Sequence, residues 1–263
     1  MCPPDYFAVD YAINPWMDTT VAVDAALALK QWQLLRDTLT DLGHTVHVLD
    51  AQPGLPDMVY AANGAFSVDG KVYGARFRYP QRDAEAVAHR GFYAPGAWTF
   101  AEPAHVNEGE GDFAYLPRAY GGLILAGHGF RTDLAAHAEA QEVLGRPVVS
   151  LRLIDPAFYH LDTALAALDD RHVTYFPEAF SPASRRVLRR LFPDAVIADR
   201  ADAEAFGLNL VSDGRHVVIN AEAAGMAEKA RAAGYVPVPV ELSELKRGGG
   251  SVKCVVAELR PEG

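Results

Sequence analysis

The sequence predicts an α/β domain built from five repeats of a strand–strand–helix–strand unit. Hairpin signals, in which a short turn joins two apolar runs, alternate with segments whose apolar residues are three and four apart. We therefore expect one domain, residues 1–263, with a pseudo-fivefold arrangement. The residues that open the hairpins are evenly spaced, with intervals of 49, 50 and 49 residues along the series Asn63, Asp112, Asp162 and Val211, and a shorter interval of 43 residues leads to Cys254.

Four segments of the sequence carry β-hairpin signals. Two of their turns contain Asp-Gly, a strong hairpin signal, and the others contain Gly-Gly with Pro or Asp-Asp-Arg. The segments are SVDGKVYGARF, AYLPRAYGGLILAG, ALAALDDRHVTYF and NLVSDGRHVVIN, and the final run CVVAEL predicts one more strand. Hairpins require antiparallel pairing, and no GxGxxG motif stands at the first strand-to-helix turn. An ordinary doubly wound parallel sheet is therefore disfavoured.

Amphipathic helical segments separate the hairpins. The first of them ends on Gly43, a residue type that is common just after a helix. The predicted helices lie in VAVDAALALKQWQLLRDTLTDLG, DAEAVAHRGF, DLAAHAEAQEVLG, SPASRRVLRRLF and AEAAGMAEKARAAG. A short β-rich run follows each helix, and these runs are HTVHVLD, AWTF, PVVSLRL, AVIAD and YVPVPVEL. In a ring of such units, equivalent strand ends bring polar residues that are distant in sequence to one centre.

The composition disfavours several classes of protein. Acidic residues outnumber basic residues by 34 to 24, and no basic run stands out, so we expect no nucleic-acid partner. No apolar run approaches the roughly 20 residues of a membrane span, and the N-terminus lacks the pattern of a signal peptide. The two cysteines are Cys2 and Cys254, and no spacing typical of a metal site occurs. We expect a cytoplasmic protein without a metal or other cofactor, and a homo-oligomer is left open.

Cys254 is a candidate nucleophile. It follows the glycine tract Gly248–Gly250, which allows close approach to the backbone, although an inert buried thiol is the commoner role of a lone cysteine. A nucleophilic cysteine needs an acid/base partner. Of nine histidines, His160 in FYHLDT is favoured, because strand alternation would place it on one face with Asp162. A hydrogen-bonded structural histidine is the alternative.

Other polar residues suit a charged ligand. In NEGEGD, strand alternation would place Glu108, Glu110 and Asp112 on one face, where they repel one another unless a cation is present. Arg131 in GHGFRTD stands at a turn before a helix and suits a carboxylate. Taken singly, these residues also fit solvated turns, caps or surface ion pairs. Together they suit a zwitterion with a guanidinium tail. The further candidates are Asp57 and Asn63 in PDMVYAANGAF and Arg78 in RFRYPQR.

The motifs PDMVYAANGAF, NEGEGD, GHGFRTD, FYHLDT and GGGSVKC, in this order, resemble those of the guanidino-group modifying superfamily. The resemblance covers essentially the whole chain and implies a five-bladed α/β propeller, the pentein fold. It implies that Cys254 is the nucleophile, that His160 is the general acid/base and that Arg131 holds the α-carboxylate of the substrate. It also implies a small guanidino substrate as the partner.

The acidic motif departs from the family pattern. The family reads E-G-G-D, whereas this chain reads E-G-E-G-D, with one extra residue. Glu108 and Glu110 therefore compete for one catalytic role, and Asp112 is the trailing acid of the motif.

Two positions discriminate among the members of the superfamily. Asp162 is similar to the aspartate of arginine deiminases, where dimethylarginine hydrolases have lysine, and it favours an unmethylated guanidinium. Asn63 and Asn14 resemble residues of the arginine dihydrolases, which convert arginine to ornithine, carbon dioxide and two ammonia. We therefore expect a dihydrolase that acts on L-arginine or a close guanidino analogue. The alternatives are an arginine deiminase, then a dimethylarginine hydrolase, an amidinotransferase or a silent arginine-binding sensor.

Overall fold

Four three-stranded sheets follow one another along the chain in the computed structural model, which describes residues 1–262. In each sheet a hairpin supplies two antiparallel strands, and a third strand joins the second in parallel after a helix. All four predicted hairpins are confirmed. The sheets consist of β1 (Ala65–Val68), β2 (Lys71–Gly74) and β3 (Thr99–Ala101); β4 (Phe113–Leu116), β5 (Leu123–His128) and β6 (Val148–Arg152); β7 (Leu165–Ala167), β8 (Val173–Tyr175) and β9 (Val196–Ile197); and β10 (Val211–Ser212), β11 (His216–Asn220) and β12 (Val236–Val240).

A helix connects the second and third strands of each sheet, and 3-10 helices form short turns. The five predicted helices are confirmed as α1, α2, α3, α4 and α6. Asp24 caps the first of them by accepting a hydrogen bond from the backbone N–H of Leu27. The α-helices are α1 (Ala25–Asp41), α2 (Asp83–Tyr93), α3 (Leu134–Leu144), α4 (Pro182–Leu191), α5 (Arg200–Glu204), α6 (Ala224–Ala232), α7 (Ser243–Lys246) and α8 (Val252–Val255). Single 3-10 turns span Pro56–Val59, Ala61–Gly64, Pro80–Arg82, Gly109–Gly111, Pro156–Phe158, Leu161–Thr163 and Pro177–Ala179.

Apolar side chains from neighbouring units form the core. One cluster joins the second, third and fourth sheets and includes Leu125, Tyr175 and Val217. A second cluster packs α1, through Trp32 and Leu35, against the segment around Cys254. Within residues 1–262, no helix has the length and apolar character that crossing a bilayer requires.

The turns that open the sheets meet in the middle of the molecule. Ala61–Gly64 contacts Gly109–Gly111, which contacts Leu161–Thr163, and α8 contacts the first two of these turns. Each turn directly precedes the first strand of a sheet, except for α8, which precedes the final extended segment. The predicted convergence of equivalent strand ends is therefore confirmed, and the residues on these turns form the centre of the fold.

The local conformation of two motifs differs from the prediction. Both NEGEGD and FYHLDT were expected to be strands, but Gly109–Gly111 and Leu161–Thr163 are single 3-10 turns. The reason is tertiary, because the side chain of Asp112 accepts a hydrogen bond from the backbone N–H of Leu161 and ties the two turns together. The side chains of Glu108, Glu110 and Asp112 consequently do not share one face.

Two predicted strands are absent from residues 1–262 as regular structure. The run HTVHVLD is extended without a strand ladder, and CVVAEL begins inside α8 before it continues as an extended segment. Cys254 is helical because its backbone N–H and that of Ser251 both donate to the side chain of Asn209. The fifth unit thus has a helix and two extended segments, but no three-stranded sheet among the described residues.

We predict that Gly70→Ala destabilises the protein by about 1 kcal/mol. Asp69 and Gly70 form the two-residue turn between β1 and β2 with φ angles of 49° and 79°, in the region that glycine adopts readily. Urea denaturation measures the change. Gly91→Ala is the matched control, because Gly91 lies in α2 with open space around it and alanine there should be neutral or slightly stabilising. Equal stabilities of Gly70→Ala and the unchanged chain would contradict the assignment of the turn.

Candidate active site

The side chain of Asn209 positions Cys254 at the centre of the fold. Its Oδ1 atom accepts hydrogen bonds from the backbone N–H groups of Ser251 and Cys254, at 3.0 and 3.1 Å. Its Nδ2 atom donates to Cys254 Sγ at 3.1 Å and to the carbonyl of Asp162 at 3.2 Å. Asn209 is fully buried, so these four contacts fix the orientation of α8 relative to the turn that carries Asp162.

The thiol of Cys254 lies against the carboxyl group of Asp162. Cys254 Sγ donates to Asp162 Oδ2 at 3.1 Å. Burial raises the pKa of Asp162 to about 7. The hydrogen bond from Cys254 favours the charged form and lowers this pKa, but burial has the larger effect. Burial, followed by the charge and hydrogen bond of Asp162, also raises the pKa of Cys254 well above its ordinary value. The thiol is therefore protonated at neutral pH in the protein alone.

A buried chain of charged groups lies beside this pair. Glu108 Oε2 is 2.7 Å from Arg131 Nη1 and 2.7 Å from His160 Nε2, and all three side chains are buried. Burial alone would raise the pKa of Glu108, but Arg131 and the hydrogen bond from His160 hold it well below its usual range. Glu108 is thus ionised and fixes the ring of His160 through Nε2. The other ring nitrogen, Nδ1, is buried and has no hydrogen-bond partner among residues 1–262.

Several buried polar atoms at the centre lack a partner in the part of the chain that the structure describes. They point to a site for a polar ligand, because a buried polar atom without a hydrogen bond costs about 1–3 kcal/mol. The atoms are a carboxylate oxygen of Asp57, the amide nitrogen of Asn63, Nδ1 of His160 and a carboxylate oxygen of Asp162. Two acceptors and a donor, together with an imidazole nitrogen, suit a ligand that has several N–H groups.

Asn63 lies close to His160 because the residue between them is glycine. A Cβ atom at Gly111 would lie 2.4 Å from Asn63 Nδ2 and 3.3 Å from the ring of His160. The Oδ1 atom of Asn63 accepts a hydrogen bond from Arg82 Nη1 at 2.8 Å. Arg82 in turn forms a buried two-bond pair with Glu85, at 2.9 and 2.7 Å. This pairing fixes the amide so that its Nδ2 atom remains available to a ligand.

Two segments cover the centre. Asn14 Nδ2 donates to the carbonyl of Gly248 at 3.0 Å, and Trp16 Nε1 donates to the carbonyl of Ala157 at 2.8 Å. The cavity between this cover and Cys254 has a volume of only about 10 Å³. It is lined on the polar side by Asp57, Asn63 and Arg131, among others. A ligand the size of arginine therefore requires displacement of the cover formed by residues 13–17 and 248–250.

The guanidinium of Arg131 lies between two aromatic rings at the edge of this cavity. Its centre is 4.8 Å from the ring of Tyr79 and 4.6 Å from that of Tyr159. Besides the bond to Glu108, its Nη2 atom donates to the carbonyl of Ile13 at 3.0 Å. Arg131 thus connects the charged chain to the covering segment.

The remaining predicted site residues occupy supporting positions. Both carboxylate oxygens of Asp112 are bonded within the protein, to the hydroxyl of Thr132 and the backbone of Leu161. Burial raises the pKa of Asp112 to about 6, although His160 and the hydroxyl of Thr132 act in the opposite direction. The guanidinium of Arg78 pairs with Asp133 at the surface and donates to the carbonyl of Arg131. Only its backbone N–H reaches Glu108, at 3.2 Å.

Glu110 lies apart from Glu108, although the two are separated by one glycine. Its carboxylate pairs with Lys253 and Arg260 and accepts from the backbone N–H of Glu258 at 2.9 Å. The 3-10 turn sends the two glutamates in different directions. Of the two competing residues, Glu108 contacts His160 and Glu110 anchors the segment that follows Cys254.

Sequence reasoning missed two residues of the central cluster. Asn209 lies two residues before Val211, the position that the repeat spacing selected, but Ser212 is the nearer polar residue, so the spacing alone does not single out Asn209. Arg82 stands in RFRYPQR, of which only Arg78 was selected as a candidate. The signal was its spacing of three from Glu85 at the start of α2, where an ion pair on one helical face is expected. Within residues 1–262, no group of three His, Cys, Asp or Glu side chains is arranged as metal ligands.

Comparison with known proteins identifies relatives that match the chain over almost its whole length. No family model matches it. It is 52% identical over 261 residues to a Mycobacterium tuberculosis protein named N(G),N(G)-dimethylarginine dimethylaminohydrolase, a match that covers 99% of this chain and 85% of the relative. It is 34% identical over 264 residues to the bifunctional arginine dihydrolase/ornithine cyclodeaminase ArgZ of Synechocystis sp., covering 98% of this chain but 37% of that longer protein.

A solved structure shows the same fold. The crystal structure of the N-terminal domain of ArgZ, covalently bonded to a reaction intermediate, matches with a TM-score of 0.95 and 32% identity. The match covers 100% of this chain and 97% of that domain. The predicted pentein fold is thereby confirmed. The chain belongs to the guanidino-group modifying superfamily of pentein enzymes, which includes hydrolases of guanidino C–N bonds.

Proposed function

We propose that this hydrolase of guanidino C–N bonds is an arginine dihydrolase, which converts L-arginine and two water molecules to ornithine, carbon dioxide and two ammonia. The observation that carries the proposal is the contact between Cys254 Sγ and Asp162 Oδ2 at 3.1 Å in a buried site. A thiol beside a carboxylate suits a nucleophile next to the group that binds an unsubstituted guanidinium. The unpartnered amide nitrogen of Asn63 supports a second round of hydrolysis at the same place.

Substrate binding would supply the charge that activates the thiol. A guanidinium cation placed between Cys254 and Asp162 favours the ionised form of both groups, whose pKa values are raised in the protein alone. The proton of the thiol leaves through the unpartnered Nδ1 of His160, whose Nε2 is held by Glu108. The thiolate forms only when the substrate is present, which protects it from unproductive reactions.

The first hydrolysis proceeds through a covalent intermediate. The thiolate of Cys254 attacks the central guanidinium carbon, and His160 protonates the departing nitrogen, so that ammonia leaves and an S-alkylthiouronium remains. Water that gives its proton to His160 then attacks the same carbon and expels the thiolate. The product at this stage is the ureido compound citrulline.

The second hydrolysis requires the neutral ureido group to be held for another attack. Asn63 can donate from Nδ2 to the ureido oxygen, whereas a carboxylate could only accept hydrogen bonds. Attack by Cys254 releases the second ammonia and leaves a thiocarbamate. Water then releases a carbamate, which breaks down to ornithine and carbon dioxide. Each hydrolysis consumes one water molecule and releases one ammonia, so the atoms balance.

The α-carboxylate of the substrate would bind at Arg131. The Nη2 atom of Arg131 donates to the carbonyl of Ile13 at 3.0 Å, and the substrate carboxylate would take the place of that carbonyl when the cover opens. Arg131 keeps its bond to Glu108 in this exchange. Substrate binding and movement of residues 13–17 are thereby coupled through one side chain.

A second candidate function is hydrolysis of N-methylated arginine. It is favoured by the name of the Mycobacterium tuberculosis relative, at 52% identity. Against it, the groups around Cys254 Sγ are polar and hydrogen-bonded, with Asp162 and Asn209 in direct contact. N-methyl groups would remove N–H donors from the ligand and leave the buried acceptor atoms of the site without partners.

Product analysis separates the candidates. We expect L-arginine labelled with ¹³C in the guanidino group to yield ornithine, labelled carbon dioxide and two ammonia per turnover, measured by mass spectrometry and an ammonia assay. Citrulline with one ammonia would make the protein a deiminase. Release of dimethylamine from asymmetric dimethylarginine, without turnover of arginine, would favour the second candidate and contradict the proposal.

We predict that Asn63→Asp shifts the product from ornithine to citrulline by at least about tenfold, the change that roughly 1.4 kcal/mol in the second step produces. Arg82 Nη1 lies 2.8 Å from Oδ1 and can hold the new carboxylate, so the fold is retained. Asn220→Asp, at a buried asparagine that bonds the carbonyl of Ala205, is the control and should leave the ratio unchanged. An unaltered ratio in Asn63→Asp would refute its role in the second step.

We predict that Asp162→Asn stabilises the protein at pH 8 by about 4 kcal/mol but has little effect at pH 4. The folded-state pKa of about 7 lies above the ordinary value of 3.8, so the native state binds the proton more tightly. This tighter proton binding adds to the free energy of unfolding; the addition is fully present below pH 4 and is lost as the pH rises through 7. Asparagine cannot ionise and avoids that loss. Chemical denaturation at both pH values measures the difference.

The exposed Asp5→Asn is the matched control for this experiment and should show no such dependence on pH. An effect of Asp162→Asn that is the same at pH 4 and pH 8 would contradict the assigned protonation of Asp162.

A further inference from the structure

The side chain of Asn209 is in direct contact with the sulfur atom of the nucleophile. Its Nδ2 atom lies 3.1 Å from Cys254 Sγ, and Asn209 is fully buried, so water does not compete for this contact. Other atoms of the same side chain support the backbone of α8. The contact with the sulfur is a separate feature, because those backbone hydrogen bonds would hold α8 without it.

The hydrogen-bond network determines which end of the amide faces the sulfur. The Oδ1 atom accepts from the backbone N–H groups of Ser251 and Cys254, at 3.0 and 3.1 Å, which an amide nitrogen could not do. The NH₂ group therefore lies on the other side of the amide. One of its hydrogens is donated to the carbonyl of Asp162 at 3.2 Å, and the second is donated to Cys254 Sγ. Asn209 is thus a donor to the sulfur.

The sulfur of Cys254 has both a donor and an acceptor as neighbours. As a thiol it donates to Asp162 Oδ2 at 3.1 Å, but once its proton has left, the sulfur can only accept. A hydrogen bond to a charged group is stronger than one to a neutral group, and buried surroundings strengthen it further. Burial and the charge of Asp162 raise the pKa of Cys254, whereas the hydrogen bond from Asn209 acts in the opposite direction. The contact with Asn209 therefore favours the thiolate over the thiol.

We propose that Asn209 is a catalytic residue whose Nδ2–H group stabilises the thiolate of Cys254. The thiolate occurs twice in each hydrolysis, before it attacks the guanidinium carbon and again when water expels it from that carbon. The donor is in place at both moments, because its other contacts fix the amide. The inference rests on Cys254 as the nucleophile of the proposed function, but not on the identity of the product.

The titratable groups around the sulfur are the same in every variant of the test. Burial raises the pKa of Tyr60 and Tyr159 well above the ordinary value, so both remain neutral phenols. Burial also raises the pKa of Asp162 to about 7. The other titratable or charged groups in the cavity and on the adjoining turns are Asp57, Arg82, Glu108, Glu110, Arg131, His160 and Lys253. A change in thiolate formation that follows only from substitution of Asn209 is therefore due to its amide.

Asn209→Asp removes the donor and keeps the shape of the side chain. One carboxyl oxygen can still accept from the backbone N–H groups of Ser251 and Cys254. A protonated aspartate has a single hydrogen, which the carbonyl of Asp162 takes as the better acceptor, and an ionised aspartate has none. The sulfur loses its donor in both states. Asn209→Ser, which is shorter and uncharged, is the second variant and keeps the test open if the aspartate variant does not fold.

Asn220→Asp is the matched control. Asn220 is also buried, and its amide has the same kinds of backbone contact. Its Nδ2 atom donates to the carbonyl of Ala205 at 3.2 Å, and its Oδ1 atom accepts from the backbone N–H of Glu222 at 3.3 Å. Within residues 1–262 it makes no hydrogen bond to the sulfur of Cys254. The control therefore measures what the same substitution costs at a buried asparagine remote from the nucleophile.

The first measurement is the rate at which iodoacetamide alkylates Cys254 as a function of pH. Peptide mass spectrometry separates this reaction from alkylation of Cys2, which is the internal reference. The thiolate is the reactive form of the side chain, so the profile reports its formation. At each pH below the pKa, we expect both Asn209 variants to slow alkylation of Cys254 by at least about tenfold, a profile displaced upwards by about one pH unit or more. Asn220→Asp should leave the profile unchanged.

The second measurement is steady-state kinetics with L-arginine. We expect Asn209→Asp to lower kcat by at least about tenfold while KM changes by less than about threefold. The reason is that Asn209 contacts the reacting sulfur but does not line the cavity in which the substrate would bind. Asn220→Asp should leave both constants within about twofold of those of the unchanged chain.

Three outcomes would overturn the proposal. An unchanged alkylation profile in folded Asn209 variants would show that the amide does not stabilise the thiolate. An equal effect of Asn220→Asp would reduce the result to a general loss of packing. A lower kcat with a higher KM and an unchanged alkylation profile would make Asn209 a structural support only. Alkylation requires no turnover, so this part of the test remains valid even if the protein does not hydrolyse arginine and the proposed function fails.

Discussion

The buried chain Arg131–Glu108–His160 is the constraint on which the rest of the site depends. A carboxylate that is fully removed from water is stable only when it is paired and hydrogen-bonded, and Glu108 meets both conditions through two contacts of 2.7 Å. Glu108 and Arg131 come from the unit of the second sheet, and His160 comes from the unit of the third. The ring-like arrangement of sheets is what brings them together, and their pairing in turn holds the opening turns of those sheets in register.

Some polar side chains of the site have all their hydrogen bonds within the protein, whereas others keep a buried atom without a partner among the described residues. This combination suits a ligand with many N–H donors. Asn209 and Arg82 have all their contacts within the protein and hold Cys254 and Asn63 in place. Asp162 and His160 each keep one buried atom without a partner among the described residues. Raised pKa values at Asp162 and Cys254 follow from the same burial. Burial of these groups therefore lowers the free energy of unfolding at the site where catalysis is expected. Perturbed pKa values of this kind are common at functional sites.

Much of the fold could be predicted because its signals are local. Turn residues such as Asp-Gly and Gly-Gly, together with helical periodicity, identify the four hairpins and five helices without knowledge of their partners. The turns Gly109–Gly111 and Leu161–Thr163 could not be predicted as turns, because contacts between distant segments decide their conformation. The predicted strands at 44–50 and 254–259 fail as ladders for a related reason, since a strand needs a neighbour to pair with.

The site residues show the same limit. Cys254, His160 and Glu108 could be selected from motif and residue type, but spacing alone could not separate Glu108 from Glu110. The two glutamates differ in the cations that lie beside them. Arg131 pairs with Glu108, and Lys253 and Arg260 pair with Glu110. Asn209 was missed because its partner Cys254 lies 45 residues away and no local pattern marks the pair.

The most direct measurement of the central claim is intact-protein and peptide mass spectrometry after acid quench during turnover of L-arginine. We predict a covalent adduct equal to arginine less one ammonia on the peptide that contains Cys254. Two results would contradict the role of Cys254 as the nucleophile. One is product formation with an adduct on another residue. The other is product formation with no adduct on Cys254 at any quench time, under conditions that trap S-alkylthiouronium adducts.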